Sequence, residues 1–273
     1  MEKPFQKLIL FLTLIIGSQL VSKAQTVCEI EPDVAYLGSY FHATIETAIQ
    51  PAHYKKTDWL IAGGILASTA LVYTNDQVIF DFFDRQMSPH QGEQLSKYTD
   101  AFGSGLLSVP LLGGMYLVGR SKENCQLQEA ALAGFQAFLL SAGAAYIVKT
   151  LGGRARPMSA DDPYLWTGPF SGNDAFPSGH TARAFAVATV VSAYFPDNFW
   201  VGFGAYGLAT LTASGRLLSG EHWPSDVLAG AALGYFVGRG VIYYHKKKKS
   251  KGNSTFQLEP RIGFDSLGLA LCF

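Results

Sequence analysis

Charge is what this sequence has least of. Asp, Glu, Lys and Arg make up 15% of its 273 residues, against roughly 25% in soluble domains. The 21 basic residues balance the 21 acidic ones, so no net field argues for nucleic acid as a partner. Cysteine is nearly absent: Cys28, Cys125 and Cys272 are far apart and fit no zinc spacing. An oxidising compartment allows them one disulfide, whose pairing the sequence leaves open. Cys28 also lacks the small-residue context of a lipoprotein attachment site. No acidic run suggests a magnesium site, and no internal repeat stands out. Glycine, in contrast, is plentiful at 29 residues. Little charge with much glycine points to helices packed in lipid or around a very dry core.

The apolar residues fall into six stretches, about 59–74, 102–119, 129–148, 181–195, 199–218 and 227–244. Several are shorter than the ~20 residues that span a bilayer core upright, and their many Gly and Ala residues suit close helix contact in membranes. The expected fold is all-α: a bundle of about six apolar helices, membrane-embedded, with polar clusters at the helix ends. Buried helices of a soluble all-α protein are the alternative.

Residues 1–24 read as an export signal, with Lys3 and Lys7 before an apolar core from Leu8 to Ile16 and small residues Ser22 and Ala24 preceding a cut at Gln25. An uncleaved membrane anchor is the other reading. Residues 25–58 look like a polar lead-in, 59–245 the helical domain, and 246–273 a basic linker with a strand-like tail. The lysine cluster at 246–249 suggests a cytoplasmic flank. Together with an exported N-terminus it conflicts with six full spans, so topology stays open.

Three polar clusters interrupt the apolar stretches. The first, KTLGGRARP, ends the third helix with Lys149, Arg154 and Arg156 before Pro157. Gly152, Gly153 and Pro157 disfavour a continuing helix there, so these cations can turn inward from a loop. The second, FPSGHTARAF, makes a turn at Pro177, Ser178 and Gly179 that feeds a helix starting near His180. Such a start offers free N–H groups and a positive dipole end to an anion. The third, SGRLLSGEHWPSD, carries Ser214, Arg216, His222 and Asp226. Pro224 suits the first turn of a helix, which sets Asp226 within hydrogen-bond reach of His222. A carboxylate on one imidazole nitrogen leaves the other as a free lone pair. Several cations, two histidines and one carboxylate suit phosphoryl transfer, where catalysis is mostly positioning and charge neutralisation.

In order and spacing these clusters resemble the type-2 phosphatidic acid phosphatase family, which shares its core with bacterial class A acid phosphatases and vanadium haloperoxidases. The matches are Lys149 to Arg156-Pro157, Pro177 to His180, and Arg216 with His222 and Asp226; Gly215 stands where the family has serine. The resemblance implies that His222 attacks phosphorus and forms a phosphohistidine, that Asp226 orients it, and that His180 protonates the leaving oxygen. It implies that Lys149, Arg156, Ser178, Gly179 and Arg216 hold the phosphate, without a metal or other cofactor; vanadate enters only under the haloperoxidase alternative. The expected substrate is a lipid phosphate or diphosphate, with phosphatidic acid, phosphatidylglycerol phosphate, undecaprenyl diphosphate and lipid A as candidates, and with membrane lipids as surroundings in a bacterial-type cell envelope. A soluble periplasmic acid phosphatase of broad specificity is the alternative. Arg183 lies outside the motifs but near enough to His180 to reach an incoming head group.

Overall fold

The computed structural model describes residues 28, 30, 32–85, 89–252, 257–263 and 266–272; the expected export signal lies outside them. Nine α-helices follow one another among the described residues: α1 Val34–Ile49, α2 Lys56–Tyr73, α3 Asp76–Asp84, α4 Pro89–Ser104, α5 Ser108–Ser121, α6 Cys125–Gly152, α7 Gly179–Tyr194, α8 Phe199–Leu218 and α9 Pro224–Gly252. Five of the six apolar stretches fall in single helices, while 102–119 is broken by a turn at 105–107 between α4 and α5, and α3 with most of α4 lies outside the apolar runs; the all-α reading of the core stands.

The centre of the bundle is α7, packed between α6, α8 and α9. Its inward face is almost all small residues: Ala182, Ala184, Ala186 and Ala188 are buried. Small faces let backbones close up. A Cβ on Gly234 of α9 would stand 2.1 Å from the Ala182 carbonyl oxygen, so only glycine permits this α7–α9 spacing. Against Ala184, Val187 and Ala188 of α7, the larger Phe102, Leu112, Met115, Leu127 and Phe138 complete the main apolar cluster. The helix ends are fixed by local chemistry. Asn124 caps α6 by accepting from the Leu127 N–H at 3.1 Å, and α6 stops where Gly153 turns left-handed at φ 67°.

α6 and residues Pro224–Lys249 of α9 are long and apolar enough to cross a membrane; α4 and α5, bent by 44° at their junction, make a third crossing if they act as one span. Apolar side chains face outward on other helices too, among them Trp59, Leu60 and Leu66 of α2 and Phe199, Trp200 and Phe203 of α8. Outward apolar faces of this extent belong against lipid, and the protein is membrane-associated.

Two regions differ from the sequence reading. The lead-in contains α1, capped by Asp33 and packed on the outer halves of α6 and α9: Tyr36 donates to the Leu132 carbonyl at 2.8 Å, and Lys247 pairs with Glu46 at 2.6 Å. Its inward residues, Tyr36, Ser39 and Ala43, are too few and too mixed to register as an apolar period. The tail holds two antiparallel strands, β1 Gln257–Gly263 and β2 Ser266–Cys272, rather than a single one. The disulfide joins Cys28 to Cys125 at the start of α6.

Candidate active site

All three clusters gather at one end of the bundle. Lys149 closes α6, Ser178 and Gly179 open α7, Arg216 closes α8, and His222 precedes α9. The link is built into the backbone: the Ser178 N–H donates to the Asp226 carbonyl at 2.9 Å. A Cβ on Gly179 would lie 3.5 Å from Lys149 Cε, so the lysine stem lies against the first turn of α7.

The cations converge, and each already holds a carboxylate. Lys149 donates to the Asp174 backbone carbonyl and lies 3.7 Å from its carboxylate. Arg156 grips Asp174 in two-pronged fashion, Nε to Oδ1 at 2.8 Å and Nη2 to Oδ2 at 3.0 Å. Its remaining Nη1 donates to Glu221 Oε2. Arg216 reaches the same Glu221 oxygen through Nη2 at 3.1 Å and donates to Asp100 through Nη1. Three buried polar atoms in this group have no hydrogen-bond partner, Asp100 Oδ1, Arg216 Nε and His222 Nδ1. Burial alone would raise the Asp174 pKa, but the hydrogen bonds from Arg156 and the charges of Lys149 and Arg156 outweigh it and hold the group below the ordinary carboxylate range.

Both histidines are neutral at pH 7. Burial first, then the charges of Arg216, Arg183, His222 and Lys149, push His180 down to about 3. His222 is pushed well below its ordinary value by complete burial and by Lys149, Arg216 and Arg156. The rings thus feel the same cations, as expected if both face one pocket.

The expected His222–Asp226 hydrogen bond is not made: Nδ1 and Oδ2 are 3.7 Å apart, beyond bonding distance. Asp226 is engaged elsewhere. Its Oδ2 accepts from the Trp223 N–H at 2.9 Å, capping the first turn of α9, and its Oδ1 accepts from Arg154 at 2.5 Å. Arg154 also pairs with Asp76 at 2.7 Å, and the Ser225 hydroxyl accepts from it at 2.8 Å. Asp76 in turn accepts from the Ser225 N–H at 2.8 Å and hydroxyl at 2.5 Å. Arg154, Asp76 and Asp226 are each 0% exposed, roofed by Tyr73, Trp166 and Trp223 within 4.9–5.8 Å of the guanidinium. Burial outweighs these partners at Asp76 and raises its pKa.

Ser178 is fully buried and accepts from Thr181 at 2.9 Å. Arg183 donates to the Gly179 carbonyl and stacks 5.4 Å from the Phe138 ring. Gly215 has a packing cause: a Cβ there would fall 1.8 Å from Thr99 Oγ1, because α4 crosses α8 at that point. Sequence reading missed Asp76, Asp100, Asp174 and Glu221. Only Glu221, beside His222, carried any local signal.

Residues 131–250 match the family model described as PAP2 superfamily. A lipid A 1-phosphatase of Porphyromonas gingivalis is 44% identical over 66 residues, covering 24% of this chain and 15% of that one. A lipid A 1-phosphatase of Rhizobium johnstonii is 32% identical over 156 residues, 53% of this chain and 63% of the relative. The chain thus spans less than two thirds of either relative. The crystal structure of Aquifex aeolicus LpxE superposes with a TM-score of 0.48 at 25% identity, covering 61% of this chain and 93% of that one.

Proposed function

We propose that this chain, whose residues 131–250 match the PAP2 superfamily model, is a metal-independent lipid phosphatase of the cell envelope, with phosphate esters of the lipid A type first among its substrates. The observation that carries the reading is the single Glu221 oxygen shared by Arg156 and Arg216. Two guanidiniums from separate motifs aim at one point, where a phosphate oxygen would sit. Lys149, Ser178 and the Gly179 N–H complete the cup.

The chemistry follows from protonation. A neutral His222 has a lone pair, and it attacks phosphorus as the ester oxygen departs; the N–P bond forms while P–O breaks. His180 gives the leaving oxygen its proton. It is neutral in the empty cup, so the charge of the bound phosphate is what raises its proton affinity. Water then attacks the phosphohistidine, its proton passes to His180, and orthophosphate leaves. Asp226, paired with Arg154, offsets the positive charge on the His222 ring while the phosphoryl group is attached. The cations neutralise charge on the phosphoryl oxygens, so the step needs no metal. The exposed Ile147 and Leu151, flanking Lys149 on α6, let the acyl chains stay in lipid. In the same reading residues 59–245 form the catalytic unit and residues 1–24 direct export.

The test is phosphate release by detergent-purified protein from a panel of lipid phosphates, with EDTA present. Activity is expected to persist in EDTA and to fall by about 10⁴-fold or more in His222→Ala. Full turnover by that variant, or turnover only with added divalent cation, would rule the reading out.

A further inference from the structure

The cup is neutral before any phosphate arrives, because Lys149, Arg156 and Arg216 face Asp174, Glu221 and Asp100. The three carboxylates are not equivalent. Asp174 holds the Nε edge of Arg156 with both oxygens and lies by Lys149, within the first cluster. Asp100 holds Arg216 from α4. Of the three, only Glu221 ties a cup cation of the first cluster to one of the third, and it does so through one oxygen placed between the two guanidiniums. Its side chain is 31% exposed, so it has somewhere to go. Removing it would orphan neither arginine, since Asp174 and Asp100 stay in place. It would instead free one donor on each, next to the partnerless Nε of Arg216.

We propose that Glu221 is a tethered competitor for the phosphate cup, a displaceable carboxylate that any phosphoryl ligand must expel and that re-enters to drive orthophosphate out. The proposal rests on the reading of the cup as the phosphate site. Expelled, the carboxylate remains one residue from His222 and repels further negative charge beside the reacting group. This disfavours retention of free orthophosphate, the most highly charged species the site meets, relative to an ester anchored by its lipid tail.

Orthophosphate itself is the probe, titrated calorimetrically into the full chain in detergent at pH 7 and constant ionic strength. Glu221→Gln keeps the shape but gives up the charge, and is expected to bind orthophosphate about tenfold more tightly than wild type. Glu221→Asp, too short to bridge both guanidiniums, is expected to fall between. Arg156→Ala supplies the control by losing binding. Equal or weaker binding by Glu221→Gln, with binding still lost in Arg156→Ala, overturns the proposal and leaves the cup intact. No orthophosphate bound by any variant removes both. A carboxylate that merely braced the fold would weaken binding and lower the melting temperature when neutralised, the opposite of the expected result.

Discussion

Arg154 and Arg156 stand two residues apart and do opposite work. Arg154 points into the protein and is locked between Asp76 and Asp226 with no exposure at all. Arg156 points into the cup and shares partly exposed carboxylates with its neighbours. The chemistry of the pairs is the same, and water makes the difference. In the dry knot an unpaired charge is intolerable, so the partners are permanent. In the wet cup charges are screened and partners can be exchanged for a ligand's oxygens. For these two arginines, access to water rather than residue type separates the framework cation from the working one.

The contrast is broken most severely from the dry side. Arg154→Met leaves Asp76 and Asp226 facing each other without a cation and should cost about 3–5 kcal/mol of stability, read as a large drop in detergent melting temperature. Arg156→Ala should do the reverse: turnover of a lipid phosphate falls about 10²–10³-fold, while stability changes by less than about 1 kcal/mol. If both variants lost stability equally, the division between knot and cup would be wrong. Gly215→Ser adds a hydroxyl near the cup but drives its Cβ into Thr99; a loss of about 1–3 kcal/mol is expected, with partial recovery when Thr99 is replaced by Gly.

The mildest probe is acid. His180 has a folded pKa near 3 against an ordinary 6.5, so the unfolded chain takes up the proton first. Its contribution is fully present above about pH 6.5 and is lost as pH falls towards 3. Between pH 6.5 and 5 the melting temperature of wild type should therefore fall further than that of His180→Gln. Parallel curves would show that the ring is not buried neutral in the cup.

The helices and the converging clusters were legible because both are written locally. Apolar runs marked α2 and α5 to α9 but not α4, which is mostly polar yet supplies Phe102 to the core; Gly153, Pro177 and Pro224 marked the breaks that turn Lys149, His180 and His222 to one end. The knot was not legible. Asp76 and Arg154 are 78 residues apart, and no spacing rule connects a carboxylate opening one helix with a guanidinium beyond the end of another. The His222–Asp226 bond was inferred from their four-residue spacing, and it failed because that spacing ignores rivals: the Trp223 N–H and Arg154 reach the carboxylate first. Helix α1 was hidden by its aromatic and polar residues, and Gly215 looked like a defect until α4 was seen to pass across it.

The bond between Cys28 and Cys125 spans a separation of 97 residues, and this sets a clock on the protein's manufacture. Chains grow at about 5–20 residues per second, so the first thiol waits on the order of 5–20 s for its mate to be made. Helices α1 to α5 are all synthesised in that interval. Cys272 is made far later still, when the earlier two have had time to find each other. Order of birth thus favours the correct pairing, and the bond tethers α1 to the start of α6 before α9, its main packing partner, has been made.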